Sequence, residues 1–203
     1  DIMHPSRLEK QYNFLENNSE IGLVYCQCNT IDKTGNKSSE TRSFNQQIGD
    51  DLDSINSLLV LNLIDRSSVM HRKVCTDLVG FFDIRITGSD DWDMWVRISE
   101  KFGLKKINEP LVDRYIHGAN ISLTRSNKIY YHENAIIIIK KAYFRRKSPK
   151  LMNLLIISKT FRVLLLKLFL NKFPNYSRLI NRIMFMIDWP LSLFISSKKD
   201  LIN

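Results

Sequence analysis

Apolar residues at helical spacing predict three amphipathic helices in the first 123 residues of the chain. One helix is predicted over residues 4–17, one over residues 50–64, and one from a start near Asp90. The apolar face of each helix follows from positions three and four apart. These faces contain Leu8, Tyr12 and Leu15 in the first helix, Leu52, Ile55, Leu59 and Leu63 in the second, and Trp92, Trp95, Val96 and Phe102 in the third.

Short apolar, β-rich segments alternate with these helices. Residues 21–28, 67–73 and 110–118 are predicted to be strands, and Gly118 ends the last of them. Residues 32–37 have the composition of a turn and should reverse the first strand into a hairpin. Because strands and helices alternate along the chain, the predicted fold class is α/β, with helices layered on a sheet.

Charge divides the 203-residue chain into two regions. Residues 1–123 contain 14 Lys and Arg against 18 Asp and Glu, a net charge of −4, whereas residues 124–203 contain 16 against 3, a net charge of +13. Such asymmetry indicates regions with different surroundings. We therefore predict an α/β domain over residues 1–123 and a basic, α-helical extension over residues 124–203.

The basic extension contains two long apolar segments that charged residues interrupt. Residues 151–170 and 179–195 are predicted to form amphipathic helices that lie on an anionic membrane surface, beside the polybasic run 140–150. The competing interpretation is that these helices pack on the protein's own core and expose a solvated basic face. Nucleic acid is a weaker candidate partner, because no recognised nucleic-acid-binding motif accompanies the charge.

Cysteine usage indicates the compartment. Cys26, Cys28 and Cys75 are an odd number without the paired spacing of a zinc site or a disulfide framework, so we expect small buried side chains in a reducing, cytoplasmic environment. The chain opens with Asp1 instead of Met and shows no signal segment, which suggests a piece of a longer protein.

The acid-rich start of the third helix allows two interpretations. Carboxylates at Asp90, Asp91 and Asp93 interact favourably with a helix dipole, and Ser89 or Asp90 could cap the helix. Alternatively, crowded like charges raise one another's pKa and can supply a general base. Spacing alone leaves both interpretations open.

Five segments occur in an order that resembles family-2 glycosyltransferases with the GT-A fold. They are DIMHPSRLEKQ (1–11), IGLVYC (21–26), NLIDRSSVMHRK (62–73), GFFDIRITGSDDWDMWVRIS (80–99) and RYIHGANIS (114–122). The resemblance covers about residues 1–123 and is to the second, acceptor-side half of the family's fold. It implies that a nucleotide-binding half precedes residue 1 and that this fragment alone has little transferase activity.

The resemblance also implies roles for individual residues. Asp91, with Asp90 beside it, corresponds to the base that deprotonates the acceptor hydroxyl. For Asp93, further along the helix, we expect only the favourable interaction of an acid with a helix start. Asp1 and His117 correspond to residues near a divalent metal, Mg²⁺ or Mn²⁺, on the donor diphosphate. The candidate substrate-binding residues are Trp92 and Arg114. Trp92 would pack against a sugar face or, equally, lie in the core, and the family places an arginine one position after Arg114, where Tyr115 stands.

The implied reaction is an inverting single displacement. A sugar would move from a nucleoside-diphosphate sugar to a glycan or lipid-linked acceptor for cell-surface polysaccharide, at the inner face of the cell membrane. The chain lacks the QxxRW sequence of processive synthases, so transfer of one sugar per acceptor is expected. The alternative function is a membrane-surface binding module without catalysis.

Overall fold

The computed structural model describes residues 1–38, 55–62, 64–117, 125–146, 150–170 and 186–187. These residues form a mixed α/β structure in which helices pack on an open sheet. The strands are β1 (Ile2–Met3), β2 (Ile21–Ile31), β3 (Lys37–Ser38), β4 (Val69–His71) and β5 (Gly103–Tyr115). The helices are α1 (Arg7–Glu16), α2 (Ile55–Val60), α3 (Lys73–Val79), α4 (Asp90–Ser99), α5 (Arg125–Arg146) and α6 (Lys150–Leu170), with a 3₁₀ turn at Arg66–Ser68.

The two long strands β2 and β5 run parallel at the centre of the sheet. On the outer side of β5, β1 pairs antiparallel, with Ile2 opposite Asp113. On the other side of β2, β3 and β4 pair antiparallel with its end and its start, respectively. Helices cover β2, and all its residues except the half-buried Gln27 are buried, which explains why the segment reads as an almost continuous apolar run.

Two local features adapt the central strands to their neighbours. The pairing of β2 with β5 shifts register around Gln27, which lies opposite Pro110, so the proline occupies an irregularity where its missing N–H does no harm. A Cβ on Gly22 would lie 2.5 Å from Phe102 Cβ, so glycine permits the chain after α4 to pack directly on β2.

The predicted strands and hairpin are confirmed. Residues 21–28 lie inside β2, residues 69–71 form β4, and β5 contains residues 110–115 but begins seven residues earlier, at Gly103. The hairpin turn holds Gly35 at a φ of 86°, and β3 follows it. The predicted strand end at Gly118 lies outside the described residues.

Helix α1 forms as predicted, but it buries a different face. Leu8 and Tyr12 are more than half exposed, whereas Gln11 and Leu15 are buried. Gln11 Nε2 donates to the Ser68 carbonyl at 2.7 Å, so a polar side chain fixes the helix to the turn before β4. The apolar spacing of Leu8 and Tyr12 gave no sign of this.

The main core lies where α2, α4 and α5 meet β2. Leu58 and Leu59 of α2 are buried there, while predicted positions 50–54 and Leu63 lie outside the described residues. Trp92, Trp95 and Val96 of α4 are buried as their spacing indicated. Helix α3 was not predicted. Its buried side chain is Cys75, which completes the set of three free, buried cysteines expected from the sequence.

The described part of the basic region packs on this same core. Ala135, Ile138 and Ala142 of α5 and Leu155 of α6 belong to the cluster of buried residues around Leu23. The division at residue 123 stays a prediction, but α5 and α6 share a core with the sheet. Within the described part of the chain, no helix is long and apolar enough to cross a membrane. Of predicted helix 179–195, only residues 186–187 are described, and both are exposed.

Candidate active site

The start of α4 is held by a turn and by α5. Gly88 has a φ of 76°, which turns the chain into the helix at Asp90. Asn134 Nδ2 of α5 donates to the Thr87 carbonyl at 3.0 Å and to Ser89 Oγ at 3.3 Å. Ser89 is buried and makes no side-chain cap, so it does not have the capping role considered from the sequence. Packing from α5 therefore fixes the position of the acidic cluster.

Asp91 is the acid of this cluster whose environment favours a proton acceptor. Its side chain is 15% exposed, and Oδ1 accepts a hydrogen bond from the Trp92 amide at 2.7 Å. Burial raises the pKa of the Asp91 carboxyl, and the neighbouring Asp90 adds to the increase. Arg66 and the Trp92 amide hold it back. Asp91 thus combines a raised pKa with remaining access to solvent.

Arg66 joins the two adjacent acids. Its Nη2 lies 2.6 Å from Asp90 Oδ1, and its Nε lies 3.6 Å from Asp91 Oδ2. The guanidinium is more than half exposed, so it faces the open side of the site. Sequence reasoning gave Arg66 no role, because an arginine in a short loop before a strand carries no distinctive pattern.

The turn containing Arg66 connects the acids with the ends of β1 and β5. Asp65 Oδ1 accepts from Arg114 Nη1 at 3.1 Å, and Ser67 Oγ donates to Asp1 Oδ2. Asp1 Oδ1 in turn accepts from the Tyr115 amide at 3.3 Å. The structure therefore brings Asp1, Arg114 and the Asp90–Asp91 pair around a single turn, at the carboxyl edge of the parallel strands. In open α/β sheets this edge is where ligands bind.

The two candidate metal ligands lie at this edge. Asp1 accepts a hydrogen bond from the Tyr115 amide, and the exposed His117 comes two residues after Tyr115. Among the described residues, no group of three or more His, Cys, Asp or Glu side chains is placed to hold a metal. Mg²⁺ on nucleotide phosphates commonly takes one or two carboxylates and completes its shell with phosphate oxygens and water. Asp1 offers one carboxylate of this kind, whose oxygens accept from Ser67 Oγ and from the Tyr115 amide.

Trp92 occupies a place that does not suit the expected sugar contact. Its ring has no exposed surface, its Nε1 donates to the Leu58 carbonyl at 2.6 Å, and it stacks on Tyr131 at 5.2 Å. A ring buried on both faces cannot pack against a sugar. Trp92 is a core residue that fixes α4 against α2 and α5, as the helical stripe itself indicated.

Asp93 lies in the first turn of α4, as expected, but it does more than favour the helix start. It is fully buried, and its Oδ2 lies 2.8 Å from Arg97 Nε. Arg97 also donates to three main-chain carbonyls at the end of α3, those of Val79, Gly80 and Phe81. Lys141 Nζ of α5 lies 2.7 Å from Asp93 Oδ1 and 2.9 Å from Asp83 Oδ2. Asp93 therefore centres an ionic network that joins three helices.

Comparison with known proteins adds one relative. Residues of this chain align with an uncharacterized glycosyltransferase of Rickettsia prowazekii at 23% identity over 136 residues, which is 66% of this chain and 42% of the relative. The chain is similar to a glycosyltransferase. It thus spans less than half the length of the curated relative that it matches, and no model of a known protein family matches it. The similarity supports a transferase at a coarse level.

Proposed function

We propose that this chain is the acceptor-side part of a family-2-like, GT-A glycosyltransferase. The reaction is the transfer of one sugar from a nucleoside-diphosphate sugar to a hydroxyl of a glycan or lipid-linked acceptor, with inversion. Similarity to a glycosyltransferase and the mixed α/β sheet support the general class. The observation that carries the proposal is Asp91, a mostly buried carboxylate with a raised pKa at the carboxyl edge of the sheet.

Asp91 acts as the general base in this proposal. A sugar hydroxyl is a weak nucleophile, and a carboxylate within hydrogen-bond reach activates it by taking its proton as the bond to the anomeric carbon forms. The raised pKa brings the Asp91 carboxylate closer to the basicity that this task needs. A single displacement requires one such carboxylate, so Asp90 is left to hold Arg66 beside the base.

The donor would lie towards Asp1 and His117. A nucleoside diphosphate leaves with concentrated negative charge, which a divalent metal neutralises when it is bound. Asp1 and His117 would supply part of the ligands for Mg²⁺ or Mn²⁺. Arg114 lies at the end of β5, and its ion pair with Asp65 orients its side chain at this edge. A phosphate contact by Arg114 would have to compete with that ion pair.

The test uses the complete protein that contains this chain. Release of nucleoside diphosphate is measured with a panel of nucleoside-diphosphate sugars and with candidate acceptors, for wild type and for Asp91→Asn. We expect acceptor-dependent release by wild type and a loss of roughly a hundred- to ten-thousand-fold in the variant. Donor binding, measured by calorimetry, should be the same for both. Equal turnover in the two proteins would overturn the assignment of Asp91.

A further inference from the structure

Helix α6 carries two of its basic residues inward. Lys159 and Arg162 are 2% and 4% exposed, although lysine and arginine are almost never fully buried without partners. Lys159 Nζ donates at 2.8 Å to the carbonyl of Val60, the last residue of α2. A cation at the carboxyl end of a helix is favoured by the helix dipole. This bond fixes the rotation of α6 about its own axis.

The outward side of the same helix is apolar. Leu154, Ile157, Phe161 and Leu164 are 48%, 62%, 52% and 52% exposed. They stand three and four positions apart, so they form one stripe of almost three turns, about 15 Å long. We call these four residues the outer stripe. An ordinary surface helix carries its apolar stripe on the core side alone, whereas α6 buries Leu155, Val163 and Leu166 and also exposes the outer stripe.

The outer stripe differs from scattered exposed apolar residues, which every protein has. Four large side chains in a continuous row indicate a contact surface, because monomeric proteins seldom leave such rows in water. Among the described residues, the other helices do not cover it, since Lys159 holds the opposite face of α6 against α2. The stripe therefore points to a partner with apolar character.

Charge identifies the partner. Residues 124–203, which contain α6, carry 16 Lys and Arg against 3 Asp and Glu. A second copy of so basic a region would repel the first, whereas an anionic bilayer attracts basic residues and also offers an apolar interior. We propose that the outer stripe inserts into the interfacial layer of an anionic membrane, with α6 lying parallel to the surface. The cytoplasmic leaflet is the matching surface, because anionic lipids are concentrated there.

The structure also determines how this binding responds to salt. Several basic side chains on or beside α6 are already engaged within the protein: Lys141 with Asp93, Arg145 with Glu100, and Lys167 with Glu133. With Lys159 and Arg162 buried as well, fewer cations face the lipid than the sequence suggests. Apolar insertion should therefore leave a part of the binding that high salt does not remove.

The inference is independent of the proposed sugar transfer, and it is tested on the purified 203-residue chain. Flotation is measured with vesicles of phosphatidylcholine alone and with vesicles containing phosphatidylglycerol, at low and high salt. The test variant is Ile157→Ser combined with Phe161→Ser. Its matched control is Leu8→Ser, because Leu8 is 53% exposed on α1. All three substituted side chains are more than half exposed, so the fold should persist, which circular dichroism verifies.

We expect wild type and Leu8→Ser to float with anionic vesicles, with a fraction remaining bound at high salt. The double variant should lose about tenfold or more in vesicle affinity, because two apolar side chains no longer enter the lipid. Equal binding of the double variant and the control would overturn the proposal. So would dimerisation of wild type, seen by light scattering, that the double substitution abolishes, since the stripe would then be an interface between two copies.

Discussion

Lys141 Nζ of α5 lies 2.7 Å from Asp93 Oδ1 of α4, and the Asp93 side chain has no exposed surface. The other carboxylate oxygen of Asp93, Oδ2, forms an ion pair with Arg97 Nε at 2.8 Å. An acid that the sequence assigned to a helix start is therefore the centre of the contact between α4, α5 and the end of α3. Residues 125–146 therefore support the candidate site.

Asp93→Asn should destabilise the fold strongly. The amide keeps the shape but removes the charge that Arg97 and Lys141 share, and breaking a buried ion pair costs about 3 kcal/mol or more. Urea unfolding followed by circular dichroism measures the change. The control is Asp90→Asn, which removes a partner of the exposed Arg66 and should cost about 1 kcal/mol or less. Equal stability of Asp93→Asn and wild type would contradict the network's importance.

Asp91→Asn should strongly slow transfer without weakening the fold. Burial raises the pKa of Asp91, so the folded state disfavours the ionised carboxylate. Ionisation of Asp91 therefore lowers the stability of the fold as the pH rises above the unfolded-state pKa of the carboxyl group. The neutral amide avoids that cost. At pH 7 we expect a melting temperature equal to or above that of wild type, together with the activity loss given above. A lower melting temperature would show that Asp91 is a structural residue.

Arg66→Gln should move the pH–rate profile. Arg66 lowers the pKa of Asp91 against the effect of burial, so its removal should raise that pKa further. Because a general base must be deprotonated, the acid limb of kcat/KM should shift to higher pH. Arg66→Lys keeps the charge and should shift the limb less. An unchanged acid limb in Arg66→Gln would mean that Asp91 does not control this limb.

Acid should weaken the network through Asp83. Hydrogen bonds from Arg85 and then Lys141 hold the pKa of Asp83 well below its usual range. A depressed folded pKa contributes stability that is present above the unfolded pKa, about 4, and is lost as pH falls below it. The melting temperature of Asp83→Asn should therefore fall less than that of wild type between about pH 4 and pH 2. Because Arg85 is exposed, solvent screens much of this contribution, so the difference should be small. Equal changes of melting temperature in the two proteins over that pH range would contradict the contribution.

The sequence predicted the elements of the α/β region well, because their apolar spacing was regular. The stripe of Trp92, Trp95 and Val96 gave α4, and the apolar run from Ile21 gave β2. Polar residues in the core were invisible to the same reasoning. Gln11, for example, is buried because the Ser68 carbonyl accepts from it, and no property of a single segment reveals a partner that lies far along the chain.

The candidate site was predicted in part for the same reason. A motif could mark Asp91, but the burial that raises its pKa arises from tertiary packing. Arg66 went unnoticed because its significance comes from two acids that arrive from another element. The orientation of α6 was likewise hidden, since interrupting charges usually mean an outward polar face, and Lys159 is instead satisfied by a carbonyl of α2.

The parallel pairing of β2 and β5 has a consequence for the kinetics of folding. The chain between these strands contains the Asp65–Ser68 turn and α4, so Arg66, Asp90 and Asp91 arrive with the crossover. Pairing across so long a loop pays a large closure entropy before it gains contacts, which makes it slow. The central ladder and the acid cluster should therefore appear in the same late step of refolding.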